Sequence, residues 1–318
     1  MRVNAADKPV ILSSISYALG SPKPIEALPE LSDEPSLLTA LRQGGLRNYL
    51  EYDGGPLTLA RESVQQTLAQ DTFSADEIDC VLFATDSLTT VGGQDALVTF
   101  LDELGLENAY PVGVRLSECA NFHVGVAVAK SLIKAAQYRN VLLVSVDLAR
   151  LASPASRIVS GGISVMSDAA ASCVISERPV EGFIINGSHN HAERSLQRGG
   201  LAANEELKLR ITSHRVLFER LLREAGWRAA QVSRVFPSNF IPAVARMFHM
   251  DSGFTAEQIV LENLPRIGHC LGSDGLIGLL DSIARAPIDE GERLVLSGAG
   301  PTQLGATLLT ANATLSIY

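Results

Sequence analysis

Four cysteines stand far apart in this chain of 318 residues, at Cys80, Cys119, Cys173 and Cys270, with no Cys-x-x-Cys pair among them. Cys119 has the surroundings a nucleophile needs. It lies in Arg115-Leu116-Ser117-Glu118-Cys119-Ala120-Asn121-Phe122, ahead of Val124, Val126, Val128, Leu132 and Ile133 in a helical segment. A helix whose early turns are apolar almost all round must be buried on every side, so Cys119 opens a helix inside the protein. Unpaired N–H groups and the positive end of the helix dipole favour a thiolate there, which lowers the thiol pKa and suits thioester exchange. Cys80 and Cys173 read as buried, inert cysteines.

A second chemical signal is Ile267-Gly268-His269-Cys270-Leu271-Gly272-Ser273-Asp274-Gly275. Its glycines permit close approach to a neighbouring helix start, and an imidazole exchanges protons near neutral pH. Cys119 and His269 therefore form a plausible dyad. His123, one turn after Cys119, is a weaker candidate. His189, His191, His214 and His249 carry no recognisable motif and read as surface residues.

The elements that must position these residues alternate between strand and helix. Strand-like runs at Ile78–Ala84, Val141–Val146, Ser172–Ile175, Val232–Phe236 and Leu294–Leu296 define an α/β chain. Residues 62–147 and 214–300 follow one plan, with landmarks offset by ~150 residues, the size of a duplicated domain-sized unit. The offset places Cys119 and His269 at corresponding helix starts. The polar stretches 186–198 and 199–206 read as surface excursions, either a lid or a loop.

Composition excludes several classes. A net charge of −9 argues against a nucleic-acid footprint. The N-terminal Met1–Lys8 leads into a strand-like run without the apolar core of an export signal, and no apolar run approaches membrane-spanning length. Soluble, cytoplasmic residence with reduced thiols and no metal site is expected.

The segment from Cys119 to Phe122 resembles that of the ketoacyl synthase III family of the thiolase superfamily, where Cys-Ala-Gly/Ser-Phe opens a buried helix. The resemblance covers nearly the whole chain. Tyr138–Asp147 is similar to the family's next core strand, Val165–Ala171 to its Phe-Gly-Asp-Gly-Ala segment, and Leu296–Thr302 to its glycine-rich loop. It implies a thiolase-like fold of duplicated halves in α-β-α-β-α layers with central buried helices. Residues 1–175 would carry the nucleophile, and residues 176–318 would carry Ser238, His269 and the glycine-rich loop. The oxyanion hole it implies consists of the Cys119 and Ala299 N–H groups.

The sequence departs from the family at its bases. Where the family has Val-Pro-His-Gln-Ala-Asn, this chain has Val235-Phe236-Pro237-Ser238-Asn239, and Ser238 takes the histidine's place. Its hydroxyl can orient His269, hold a water, donate to a substrate carbonyl or simply pack in a turn. His269 replaces the family's asparagine, in a Gly-His-x-x-Gly-x-x-Gly pattern that is more like the other ketoacyl synthases and the thiolases. No cysteine follows Cys270, as thiolase chemistry would need.

Acylation of Cys119 requires only a thiolate and an oxyanion hole, so it survives these changes better than decarboxylative condensation does. The resemblance implies a coenzyme A or acyl-carrier-protein thioester as substrate, with no separate cofactor, and a homodimer. The acyl group then passes to a carbon, oxygen or nitrogen acceptor in lipid or polyketide-type specialised metabolism. The alternative is a non-catalytic partner subunit of a heteromeric ketosynthase.

Overall fold

The computed structural model describes residues 8–88, 93–197 and 200–316. Residues 1–7, and Arg198 and Gly199 of the expected surface excursion, lie outside them. The strands are β1 (Ile11–Leu19), β2 (Ser21–Pro24), β3 (Asn48–Glu51), β4 (Cys80–Ala84), β5 (Tyr110–Val114), β6 (Asn140–Asp147), β7 (Ala169–Ser176), β8 (Phe183–Ala192), β9 (Arg234–Phe236), β10 (Arg293–Ala299) and β11 (Gln303–Ala311). The helices are α1 (Pro35–Gln43), α2 (Pro56–Leu68), α3 (Gly93–Glu103), α4 (Asn121–Lys134), α5 (Ala149–Ala152), α6 (Ala203–Ala225), α7 (Pro242–Met250), α8 (Leu264–Ile267) and α9 (Asp274–Arg285).

Nine strands form one continuous ladder in the order β5-β4-β6-β7-β1-β8-β11-β10-β9, while β2 and β3 pair separately. The order is mirrored about its centre: β4, β6, β7 and β1 on one side answer β9, β10, β11 and β8 on the other. The halves meet where Ile11 pairs with Ile184 and Leu12 with Phe183. The parallel pairs are β4 with β5, β4 with β6, and β10 with β9.

Strand periodicity explains the layers, because alternate side chains point to opposite faces. In β4, Leu82 and Ala84 face a core shared with Phe122 and Val126 of α4 and with Leu276 and Ile283 of α9. Val81 and Phe83 face outward to Leu59 and Val64 of α2 and to Phe100 of α3. In β10, Leu294 and Leu296 face the shared core, and Val295 faces Leu217, Phe218 and Leu221 of α6. Five layers result, with α4 and α9 central and covered on both sides. This is the duplicated α-β-α-β-α arrangement expected from the sequence.

Candidate active site

Cys119 lies in a short 3-10 turn, Glu118–Ala120, directly ahead of α4. The approach to that turn is sharply bent, since Leu116 and Glu118 both take left-handed backbone angles, with φ of 72° and 54°. Such residues cost about 1–3 kcal/mol each and persist only where the surroundings fix them. Here the Glu118 carboxylate accepts hydrogen bonds from the Thr302 N–H at 2.9 Å, the Thr302 hydroxyl at 3.1 Å and the Gln303 N–H at 3.1 Å. The glycine-rich hairpin between β10 and β11 thus clamps the cysteine turn. Gly298 completes the fit, because a Cβ there would lie 2.2 Å from the Cys119 carbonyl oxygen.

His269 comes from the second half. Its backbone is pinned to the segment after α5, donating to Val165 O at 2.9 Å and accepting from Ser167 N at 2.8 Å. The turn into it requires Gly268, at φ 59°, where a Cβ would meet Val165 O at 2.8 Å. The imidazole Nε2 lies 3.3 Å from Cys119 Sγ, and both residues are buried. On its other side, Nδ1 is 2.5 Å from Asp274 Oδ2.

Asp274 is the residue that sequence reasoning missed. It is buried at the first position of α9 and accepts from Cys270 N at 2.7 Å, Asn239 N at 2.8 Å and Asn239 Nδ2 at 3.0 Å. An acidic residue opening an otherwise apolar helix must find buried donors, and that signal was present five residues after His269. Cys119, His269 and Asp274 form a continuous hydrogen-bonded line in which the carboxylate fixes the Nδ1–H tautomer and leaves Nε2 facing sulfur.

Electrostatics refine the expected thiol. Burial pushes the Cys119 thiol up, and the neighbouring His269 pulls it back down without fully offsetting that effect. The helix start alone therefore does not lower this thiol, contrary to the expectation from the dipole. Burial also works against the charged form of His269, but the Asp274 carboxylate and Cys119 outweigh it and raise the imidazole to about 10. Activation resides in the imidazole and carboxylate together.

Ser238 is buried, and its hydroxyl accepts the Ala299 N–H at 3.0 Å, which braces the glycine-rich hairpin; among the described residues no hydrogen bond joins it to His269. The same bond occupies the Ala299 N–H, which is not an open oxyanion donor while Ser238 holds it. Ser238 follows β9, which lies beside β10 in the sheet, and this adjacency brings the hydroxyl to the end of β10. The Cys119 N–H, at a helix start where intrahelical acceptors are missing, remains suited to the oxyanion role.

His123 turns away from sulfur, with Nδ1 2.9 Å from Thr307 Oγ1, and burial depresses it to about 3. His214 and His249, expected on the surface, are buried beside the cavity, with Phe248 stacked on His214 at 4.4 Å between ring centroids.

A cavity of ≈ 390 Å³ opens onto Cys119 and His269. Its walls are largely apolar, with Ile163, Met166, Phe240, Phe248, Leu271 and Leu304 among them. The Phe240 ring lies 5.1 Å from that of His269. Among the described residues, no group of three or more His, Cys, Asp or Glu could hold a metal ion, and no helix is long and apolar enough to cross a membrane.

No family model matches the chain. A beta-ketoacyl-[acyl-carrier-protein] synthase III of Clostridium perfringens strain 13 is 21% identical over 309 residues, covering 90% of this chain and 94% of its own length. Among solved structures, ChlB3, described as an acyltransferase, superposes with a TM-score of 0.81 at 17% identity, covering 96% of this chain and 98% of its own. The 3-oxoacyl-[acyl-carrier-protein] synthase III of Aquifex aeolicus superposes with a TM-score of 0.79 at 16% identity, covering 95% and 99%. The chain is similar along nearly its whole length to ketoacyl synthase III enzymes, and it has the fold of ChlB3 and of the Aquifex aeolicus synthase. In that fold Cys119 and His269 line one cavity.

Proposed function

We propose that this chain is a non-decarboxylative acyltransferase, which forms an acyl-Cys119 thioester and passes the acyl group to an oxygen or nitrogen acceptor. The observation that carries this reading is the single line Asp274, His269, Cys119: among the described residues no second imidazole reaches the sulfur, and Ser238, whose hydroxyl accepts the Ala299 N–H, is not a base. A hydroxyl or amine nucleophile needs one general base, whereas condensation needs two donors for an enolate.

At rest the proton of the Cys119–His269 pair lies on His269 Nε2, and in the first half-reaction the sulfur attacks the thioester carbonyl as the thiolate. The C–S bond to coenzyme A or to a carrier's phosphopantetheine breaks, and the departing thiolate takes the proton from the imidazolium. In the second, the now neutral Nε2 accepts the proton of the incoming O–H or N–H. The new C–O or C–N bond forms, the C–S bond to Cys119 breaks, and sulfur departs as the thiolate beside the imidazolium. The Cys119 N–H stabilises the oxyanion in both steps.

Charge around the cavity supports the same reading. Asp86, Glu118 and Glu193 line it, against the His269 imidazolium and Arg210, whose guanidinium is held by Glu206 and by the Pro301 carbonyl. A carboxylate-bearing extender meets like charge there. The donor is an acyl-coenzyme A or acyl-carrier thioester, acting as substrate with no separate cofactor. The likeness to ketoacyl synthase III supports reading the chain as a cytoplasmic homodimer.

The test is incubation with a panel of acyl thioesters, read by intact mass spectrometry with Cys119→Ala as control, followed by malonyl thioester or by hydroxyl and amine acceptors. An adduct on the wild type, then released to a heteroatom acceptor without carbon dioxide, is the expected result. Carbon dioxide release with a condensation product refutes the non-decarboxylative reading, and failure to label across the panel favours a silent partner subunit.

A further inference from the structure

Two imidazoles, His214 on α6 and His249 on α7, lie with ring centroids 5.8 Å apart beside the catalytic cavity. They are fixed alike. His214 Nδ1 donates to the Arg210 carbonyl at 2.8 Å, and His249 Nδ1 donates to the Ala245 carbonyl at 2.7 Å. Because a carbonyl only accepts, each ring carries its proton on Nδ1 and presents Nε2 as a bare acceptor.

The two rings differ in what reaches that acceptor. His249 Nε2 takes the Ser297 hydroxyl at 3.0 Å, while no hydrogen bond reaches His214 Nε2 from the described residues. Yet His214 is only 4% exposed and lines the cavity, held flat against Phe248. Its neighbour Ser213 is 2% exposed and lines the same cavity. Burial holds the His214 imidazole neutral, down to about 3, so Nε2 remains an acceptor across the physiological range. A neutral imidazole held in the cavity wall offers this acceptor to a donor on a bound ligand.

We propose that His214 Nε2, with Ser213 beside it, is a specificity-determining site that recognises an O–H or N–H group on the bound substrate, apart from any atom that reacts at Cys119. The substrate is therefore hydroxylated or amino-substituted. That group belongs either to the acyl chain or to the acceptor, and the inference rests on the proposed acyl transfer through Cys119.

Two substrate pairs separate these sources. Acylation of Cys119 is measured with butanoyl-CoA against 3-hydroxybutanoyl-CoA, and transfer is measured to butan-1-ol against glycerol. The wild type is expected to favour the hydroxylated member in one arm. His214→Phe, which keeps the ring stacked on Phe248 but removes the acceptor, is expected to lower kcat/KM for that member about 10-fold and to leave the other unchanged. His214→Gln, which restores an acceptor oxygen, recovers part of the loss.

An effect confined to acylation places the hydroxyl on the acyl chain, and one confined to transfer places it on the acceptor. Absence of a preference in both arms, or its survival in His214→Phe, overturns the inference while acyl transfer stands. If Cys119 is not acylated at all, the proposed function fails. Calorimetric binding of the two thioesters to Cys119→Ala, with and without His214→Phe, then applies the same criterion independently of the chemistry.

Discussion

Replacing Asp274 by Asn tests the active-site reading at the residue on which it most depends. The two carboxylate oxygens accept four hydrogen bonds, from His269 Nδ1, Cys270 N, Asn239 N and Asn239 Nδ2. Asn keeps the shape but offers one oxygen and turns an NH₂ toward groups that themselves donate. Breaking a buried ion pair in this way costs about 3–5 kcal/mol of stability. For the chemistry, loss of the negative charge removes the largest attraction that holds His269 up at about 10, and burial then favours the neutral ring. The ring also loses the acceptor that kept its proton on Nδ1, so Nε2 no longer receives the Cys119 proton reliably. General-base contributions of about 10²–10⁴ define the expected fall in the acylation rate. Quenched intact-mass kinetics at pH 8 measure that rate, and a circular dichroism melt confirms that the variant is folded. Iodoacetamide alkylation of Cys119 should shift to higher pH, because the thiol loses the imidazolium that opposed the effect of its burial. A folded Asp274→Asn protein that acylates within about 3-fold of wild type, with an unchanged alkylation profile, refutes the assignment, since general-base loss predicts far more.

Ser238→Ala removes the acceptor for the Ala299 N–H and should cost about 1–2 kcal/mol in chemical denaturation while leaving acylation within about 3-fold, because the hydroxyl braces the hairpin and does not touch His269. A loss of 100-fold or more at unchanged stability would restore Ser238 to the catalytic set. Gly298→Ala places a methyl 2.2 Å from the Cys119 carbonyl, so labelling of Cys119 by an acyl thioester should disappear or the Tm should fall sharply; a variant normal in both shows that the two backbones are not in contact. In acid, His123, His214 and His249 are depressed from 6.5 to about 3, 3 and 4, so their contribution is full above pH 6.5 and lost as pH falls through the folded values. Each ring is worth ~3–5 kcal/mol in that window, opposed in part by Asp147, which burial raises to about 7. Net proton uptake on acid unfolding, read by potentiometric titration, checks this, and its absence refutes it. In alkali, the raised His269 contributes stability that is full below 6.5 and lost as pH rises toward about 10, so the Tm of wild type should fall more over that range than that of Asp274→Asn.

The legible parts of the fold were those in which one physical constraint dominates. The run after Cys119 is apolar almost all round in its early turns, which admits only a central helix, and Phe122 and Val126 of α4 are indeed fully buried. The position of His269 was legible because glycine on its N-terminal side signals close approach. The thiol's ionisation was not, because the helix dipole could be read from sequence while the desolvation that opposes it depends on what covers the site. His214 and His249 were misjudged for a related reason. The 23 residues of α6 carry charges along most of their length, and only the stretch around Ser213–Leu222 packs against β8 and β11. Ser238 shows a further limit: alignment supplied its position but not its partner, and a hydroxyl goes to whichever backbone group the sheet brings beside it.

The duplication and the chemistry have one origin. Cys119 precedes the start of α4 at Asn121, and His269 precedes the start of α9 at Asp274 by a longer interval. Had the second half repeated the first without change, a side chain of the 3-10 turn Leu271–Ser273 would face Cys119. The longer approach instead carries His269 back over that turn, where Met166 pairs with its backbone. It also leaves Asp274 at the head of the helix, beneath the imidazole. Two helix starts related by the duplication therefore converge, and each favours negative charge, on sulfur in one half and on a carboxylate in the other. The imidazole between them is the cation both require, which is why a buried ring is raised to about 10 when its burial alone would lower it. The Ser238 hydroxyl accepts the Ala299 N–H and is not a base. The proposed acyl transfer moves one proton at a time, which one base, oriented by one carboxylate and touching one nucleophile, can carry.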